Sequence, residues 1–329
     1  MSTSIYLFSA NVHFNSNLSF HSFSPPHYHI AVKLHSAKYG LTFESAADHA
    51  DRLAAFMAND EIISKHNAGN HSFELGHNQF SHLTFAEFEA IYLNEPAPRK
   101  ESSRWVNHFE DATADDVVDW STSDMVTAVK DQGSCGSCWA FSTTGAMEGA
   151  YYLKNKSQQS FSEQQLVDCD TVADQGCSGG LMDNAFTYIA ANGLTSESDY
   201  PYTSGGGQAG ECQSFTPVEG SVGITFTDVT NSEEALAKAV TQQPIAVAVD
   251  ADSNWQLYKG GIMTVVEGQQ LDHGVLAVGF GKEDGQAFWK IKNSWAEAWG
   301  EDGYIRITKD TGGDPPCGIT LAPSYPTLA

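Results

Sequence analysis

The stretch Asp131-Gln132-Gly133-Ser134-Cys135-Gly136-Ser137-Cys138-Trp139-Ala140-Phe141 is a Gly- and Ser-rich loop that runs directly into an apolar, alanine-containing segment. Loops of that composition feed helix N-termini. A cysteine in the first helical turn meets unpaired backbone N–H groups and the positive end of the helix macrodipole, both of which favour thiolate over thiol. Cys138 is therefore the candidate nucleophile. The histidine distribution narrows the choice of base: of 12 histidines, 11 lie between His13 and His108, and only His273 lies beyond them. A nucleophile in the second part that needs an imidazole must use His273. Taken alone, among strand residues and glycines, His273 reads as a satisfied core histidine.

Working outward, 329 residues with 41% hydrophobic and 18% charged content describe a globular chain of about two domains. The 17 basic against 41 acidic residues, net -24, argue against nucleic acid or an anionic membrane as partner, because both require clustered Lys and Arg. No apolar run approaches the roughly 18 to 20 residues of a membrane span. Residues 1–30 lack helical period and predict a poorly ordered leader. The Ile5-Tyr-Leu-Phe8 patch has neither a preceding positive charge nor a cleavage-type site after it, so no signal peptide is read.

From Ala46 to Asn67, Leu53, Phe56, Met57 and Ile63 recur at helical spacing and predict an amphipathic helix. A further apolar run covers Phe80 to Leu93, and Pro96 to Ser103 reads as an exposed linker. Beyond Trp120 the spacing predicts helices from Cys138 to about Lys154, Ser162 to Asp168 and Met182 to Asn192. Short β-branched or alternating runs follow at Ile245 to Val249, Gly274 to Gly279, Phe288 to Lys292 and Tyr304 to Ile307. A helical half (about 121–220) followed by a β half (about 221–329) implies an α+β protein in two lobes.

Cys135-Gly-Ser-Cys138-Trp139 resembles the signature of the papain and cathepsin cysteine proteases, with a histidine and an asparagine expected far downstream. Leu271-Asp272-His273-Gly274 lies 135 residues beyond Cys138, and Lys292-Asn293-Ser294-Trp295 lies 155 beyond it. Gln132, six residues before Cys138, stands where that family carries its oxyanion glutamine. The resemblance implies a papain-like two-lobe peptidase over residues 114–329, without cofactor or metal, acting as a monomer on proteins and peptides. Cys138 would attack as a thiolate beside imidazolium His273, which Asn293 orients, and Gln132 would meet the oxyanion. It also implies disulfides Cys135–Cys177 and Cys169–Cys212, leaving Cys138 free. Cys317 should be unpaired, because Glu267 stands where the family usually has its partner. Two competing readings of Cys-x-x-Cys, a thioredoxin-type redox site and half a zinc site, lack their flanking βαβ unit and second ligand pair. A non-catalytic binding protein on the same fold is disfavoured by the four intact catalytic positions.

Cys177-Ser-Gly179-Gly180-Leu181-Met182 resembles the cathepsin L-like substrate loop. With Ala248, Leu271, Gly274 and Ala322 it implies an apolar S2 pocket and cleavage after a bulky hydrophobic P2 residue; Gly136, Asp272 and Trp295 would also border the substrate. Residues 31–95 resemble the family's inhibitory propeptide through Asp48-x3-Arg52-x3-Phe56-x2-Asn59-x3-Ile63-x3-Asn67 and Gly76-x-Asn78-x-Phe80-x-His82, with His82 replacing the usual Asp. Residues 96–113 would link to a processing site near Ala114. The propeptide would be an intramolecular inhibitor, and the disulfide frame implies an oxidising compartment, the lysosome or vacuole or the exterior. Sequons at Asn17, Asn70 and Asn155 read as chance occurrences. Residues 1–113 hold 11 of the histidines, so acidification is expected to act on packed histidines such as His82.

Overall fold

The computed structural model describes residues 26–94, 109, 113–264, 268–310, 312 and 315–329. The first 25 residues, Glu267 and nearly all of the 96–113 segment lie outside them, so Asn17 and the linker reading do too. Residues 26–30, read as part of an unordered leader, instead open a helix, α1 (Pro26–Tyr39). Val32 and His35 are its buried side chains among the described residues, packed against Leu53 and Phe56, and Tyr28 and Ala31 join them only partly buried; with a histidine, an alanine and a tyrosine on that face, little apolar period is visible.

Helix α2 (Ala46–Asn67) is capped by Ser45, whose side chain accepts from Asp48 N, and it buries Leu53, Ala55, Phe56, Asn59 and Ile63. Its motif residues hold the next segment, β1 (Phe73–Leu75) and α3 (Phe85–Tyr92). Asn59 Nδ2 donates to the carbonyls of Ser81 (3.0 Å) and Leu83 (2.8 Å). The Asn67 amide donates to Leu75 O and accepts from Leu75 N. Arg52 bonds Asp48, the His82 carbonyl and Glu87, and Glu87 completes a capping box with Thr84. Buried amides persist only where such partners exist.

The remaining elements are β2 (Val118–Asp119), α4 (Cys138–Asn155), α5 (Glu163–Cys169), α6 (Met182–Asn192), β3 (Thr225–Asp228), α7 (Glu233–Gln242), β4 (Ile245–Val249), α8 (Ser253–Leu257), β5 (Tyr258–Met263), β6 (His273–Glu283), β7 (Gln286–Lys292), β8 (Tyr304–Thr308) and β9 (Ser324–Thr327). The strands run in the order β1-β5-β8-β7-β6-β4-β9-β3, with β2 on β6; β5 and β8 are parallel and the other pairs antiparallel.

Two cores share the central strands. On β4, Ile245, Val247 and Val249 face a core with Trp255, Trp289 and Trp299, while Ala246 and Ala248 face one with Trp139, Met147 and Phe186 of α4 and α6. On β6, Val275 and Ala277 take the first side, Leu276 and Val278 the second. Alternation along a strand sends neighbours to opposite faces, and burial on both faces makes these strands read as continuous apolar runs. The N-terminal segment docks on this frame by pairing β1 with β5. Gly76 N donates to Leu257 O, and Asn78 Nδ2 donates to Gln256 O.

Candidate active site

Helix α4 begins at Cys138, as its loop composition implies, and β6 begins at His273. The two starts meet where the cores diverge: Cys138 Sγ accepts a hydrogen bond from Gly274 N at 3.3 Å, and both residues line one cleft. Asn293 directly follows β7, whose pairing with β6 brings its Oδ1 to 2.8 Å from His273 Nε2. Since that oxygen can only accept, Nε2 carries the proton and Nδ1 holds the free lone pair. Nδ1 is buried without a hydrogen-bond partner. The Trp295 indole covers the imidazole, ring centroids 4.5 Å apart.

Gln132 is fully buried. Ser294 fixes it twice, its carbonyl accepting from Gln132 N at 2.9 Å and its hydroxyl donating to Oε1 at 2.7 Å. Nε2 donates one hydrogen to Cys135 O at 2.9 Å, leaving the other uncommitted. Cys135 is bonded to Cys177 and Cys169 to Cys212, and Cys138 and Cys317 are free.

Around Cys138 the cleft is walled by Gly179, Gly180, Leu181, Met182, Ala248, Asp272 and Gly274. A Cβ on Gly180 would meet the Trp139 ring at 2.5 Å, and one on Gly274 the α4 backbone at 3.1 Å, so both walls need glycine. Leu271 and Ala322 pack in the same cluster as the cleft-lining Met182 and Ala248, Ala322 being 8% exposed, and Leu271 lies beside Gly318.

One wall comes from the N-terminal segment. Asn94 lines the same cleft, donates its backbone N–H to Asp272 O at 2.8 Å, and sets its side-chain amide where a Cβ on Gly136 would stand. Behind it, Phe80, Phe88 and Tyr92 pack edge-on against Trp295, and Gln79 Nε2 donates to Trp295 O at 2.6 Å. Neither Asn94 nor Ser294 stands out in the sequence, although Ser294 directly follows a singled-out asparagine.

Enclosure decides the charge state. Burial pushes the Cys138 thiol up to about 11 and lowers His273 to about 4, so enclosure acts against both charged forms and opposes the ion pair that the helix N-terminus favours. Loss of hydration costs each charged form more than a helix dipole returns. Burial likewise raises the Asp272 carboxyl to about 7. Among the described residues no group of three or more His, Cys, Asp or Glu is placed to hold a metal ion, and no helix is long and apolar enough to cross a membrane.

Residues 114–327 match the family model described as papain family cysteine protease, and residues 35–88 match the cathepsin propeptide inhibitor domain (I29). The chain is 45% identical over 303 residues to the senescence-specific cysteine protease SAG39 of Oryza sativa subsp. japonica, covering 88% of each. It is 43% identical over 296 residues to cysteine proteinase EP-B 1 of Hordeum vulgare, covering 85% of this chain and 79% of that one. Among solved structures, digestive procathepsin L 3 of Tenebrio molitor larval midgut aligns with TM-score 0.81 at 37% identity, over 92% of this chain and 99% of that one.

Proposed function

The chain belongs to the papain family of cysteine proteases and carries a cathepsin propeptide inhibitor domain, and from that premise we propose that Cys138 and His273 are the catalytic pair of an endopeptidase held inactive by residues 31–95. The observation that carries this reading is the asymmetry of the imidazole. With Nε2 committed to Asn293, the only basic nitrogen is Nδ1, unpartnered beside the cleft that holds Cys138 Sγ.

Once the propeptide leaves, water re-enters the cleft and both shifts caused by burial relax, so the proton passes from Sγ to Nδ1. The thiolate adds to the scissile carbonyl carbon; the oxyanion is met by Cys138 N–H and the second hydrogen of Gln132 Nε2. Collapse transfers the Nδ1 proton to the departing amine, and water, deprotonated by the same nitrogen, hydrolyses the thioester and regenerates the thiol. Removal of one oxyanion donor costs on the order of 10² to 10³ in rate.

Met182, Ala248 and Gly274 leave the wall beyond Gly180 apolar, which supports a bulky hydrophobic P2 residue in protein and peptide substrates. Processing near Ala114 releases a monomeric enzyme. Two disulfides support an oxidising compartment, the lysosome or vacuole or the exterior. The test is acid activation followed by assay of peptides differing only at P2. Leu or Phe there should exceed Arg, and Cys138→Ala should abolish turnover; preference for Arg overturns the pocket reading, and full activity of the alanine variant overturns the catalytic one.

A further inference from the structure

The loop from Gln132 to Cys138 holds both oxyanion donors, one at each end, and a single side chain from outside the loop joins those ends. Tyr202 Oη donates to Gln132 O at 2.8 Å and lies 2.8 Å from Ser137 Oγ. A phenol has one proton and a carbonyl can only accept, so the Ser137 hydroxyl must donate to Tyr202. The resulting chain runs Ser137 Oγ–H to Tyr202 Oη–H to Gln132 O. Its termini are the residue that carries the Gln132 amide and the residue whose peptide bond supplies the Cys138 N–H.

The phenol is itself held from three sides. Its ring meets Phe141 of α4 edge-on, centroids 5.0 Å apart; its backbone N–H donates to Glu197 Oε1 at 2.9 Å; and the turn that follows abuts the same loop, Ser134 N donating to Gly205 O at 2.8 Å. Burial pushes the phenol ionisation further above neutral, so the donor persists across the working range. Ser294 fixes Gln132 from the opposite side through its backbone N–H and Oε1, whereas its backbone carbonyl is fixed by Tyr202.

We propose that Tyr202 is a positioning residue of the oxyanion site, setting the Gln132 amide and the Cys138 N–H at a fixed separation through hydrogen bonds to Gln132 O and Ser137 Oγ. This rests on the reading of Gln132 and Cys138 N–H as the oxyanion donors. Catalytic geometry is sensitive at this level, where a displacement of about 1 Å costs on the order of 10²-fold. A hydrogen bond lost without loss of the ring should therefore cost about 10-fold, because the packing against Phe141 survives.

The experiment uses the full chain, acid-activated, in four forms: wild type, Tyr202→Phe, Gln132→Ala and the double variant. Tyr202→Phe should lower kcat about 10-fold with KM within about 2-fold, and should weaken a peptide aldehyde, whose thiol adduct carries the tetrahedral oxygen, in parallel with kcat/KM. The melting temperature should stay within a few degrees of wild type. In the double variant the Tyr202→Phe effect should shrink toward none, because residues that act through one another are not additive. Unchanged kcat in Tyr202→Phe, or a full multiplicative loss in the double variant, overturns the proposal. If Gln132→Ala is itself without effect on kcat, the oxyanion reading falls instead. Should Tyr202→Phe lose its fold, Ser137→Ala reports on the same chain and must show the same kcat and aldehyde pattern; a Ser137→Ala enzyme with wild-type values overturns the proposal.

Discussion

The Trp295 indole stacks on the His273 imidazole, planes 22° from parallel, and receives the edges of Phe80 and Phe88 from the inhibitory segment at centroid distances of 5.5 and 5.1 Å. One indole thus shields the proposed catalytic imidazole and seats the propeptide segment. Phe88 is fully buried, and truncation of a buried Phe costs roughly 3 to 5 kcal/mol. Phe88→Ala should weaken the isolated propeptide as an inhibitor of the mature enzyme by at least about 10²-fold, since each 1.4 kcal/mol is tenfold. An inhibition titration checks this; unchanged affinity would remove the aromatic seat from the inhibitory mechanism.

Acid sensitivity follows from two histidines between α1 and the start of α3. His35 and His82 lie 5.8 Å apart, each with a buried ring nitrogen that has no hydrogen-bond partner. Burial lowers His35 to about 4 and lowers His82 as well; His77, Lys38, Arg52, Glu87 and Asp48 are the other charged groups in play. The folded form therefore prefers both rings neutral. Stability is full above the unfolded value of about 6.5 and declines as pH falls toward the folded value. A Cys138→Ala zymogen should melt progressively lower between pH 7 and 4.5, and His35→Leu should flatten that slope. Self-processing of His82→Asp should likewise shift in pH, and a profile identical to wild type would clear His82 of the role.

Thiol reactivity should change in steps. Cys138 and Cys317 are free and buried, and burial raises both thiols. Alkylation at neutral pH should modify neither in the zymogen and Cys138 alone after activation, whereas denatured enzyme should yield two thiols by mass. A count of one in the denatured enzyme would mean that Cys317 is bonded elsewhere.

A loss of stability between acid and mildly alkaline pH is expected from the loop that precedes α6. Asp174 Oδ1 accepts from Leu181 N at 2.9 Å and from Asn184 Nδ2 at 3.0 Å, while Oδ2 of Asp174 and of Asp170 are buried without a donor. Burial and the neighbouring Asp174 raise Asp170 to about 8, so the pair keeps a proton. A raised acid stabilises the fold fully below its unfolded value of about 3.9 and loses that contribution as pH rises through about 8. The melting temperature of mature enzyme should fall across that window, and Asp170→Asn should flatten the fall. Equal slopes in the two proteins would contradict a shared proton.

Much of the scaffold was legible because local pattern and tertiary burial agree. Helix α2 covers the span its apolar period marked, and β4 spans Ile245–Val249, since both faces of that strand are buried. Where few side chains are buried the pattern is silent. Helix α1 escaped notice because only Val32 and His35 of its described side chains are buried, and β5 contains Gly260 and Gly261, which carry no side chain to alternate. The same logic applies to the cleft. Met182 and Ala248 line it, with Leu271 and Ala322 packed in the same cluster, an arrangement that came from the resemblance and that alternation along a strand alone would not have singled out.

From the sequence alone came the candidates for the reacting groups: one cysteine at a helix start and one histidine in the second part, with an asparagine and a glutamine that the resemblance to the papain family added. Residue type and chain position are fixed before folding, and a resemblance needs nothing more. Which nitrogen of His273 is free, and how strongly burial opposes charge on thiol and imidazole, depends on Asn293, Trp295 and Asn94, brought in from distant parts of the chain. Protonation is set by burial and hydrogen-bond partners, and those exist only once the chain has closed over the site.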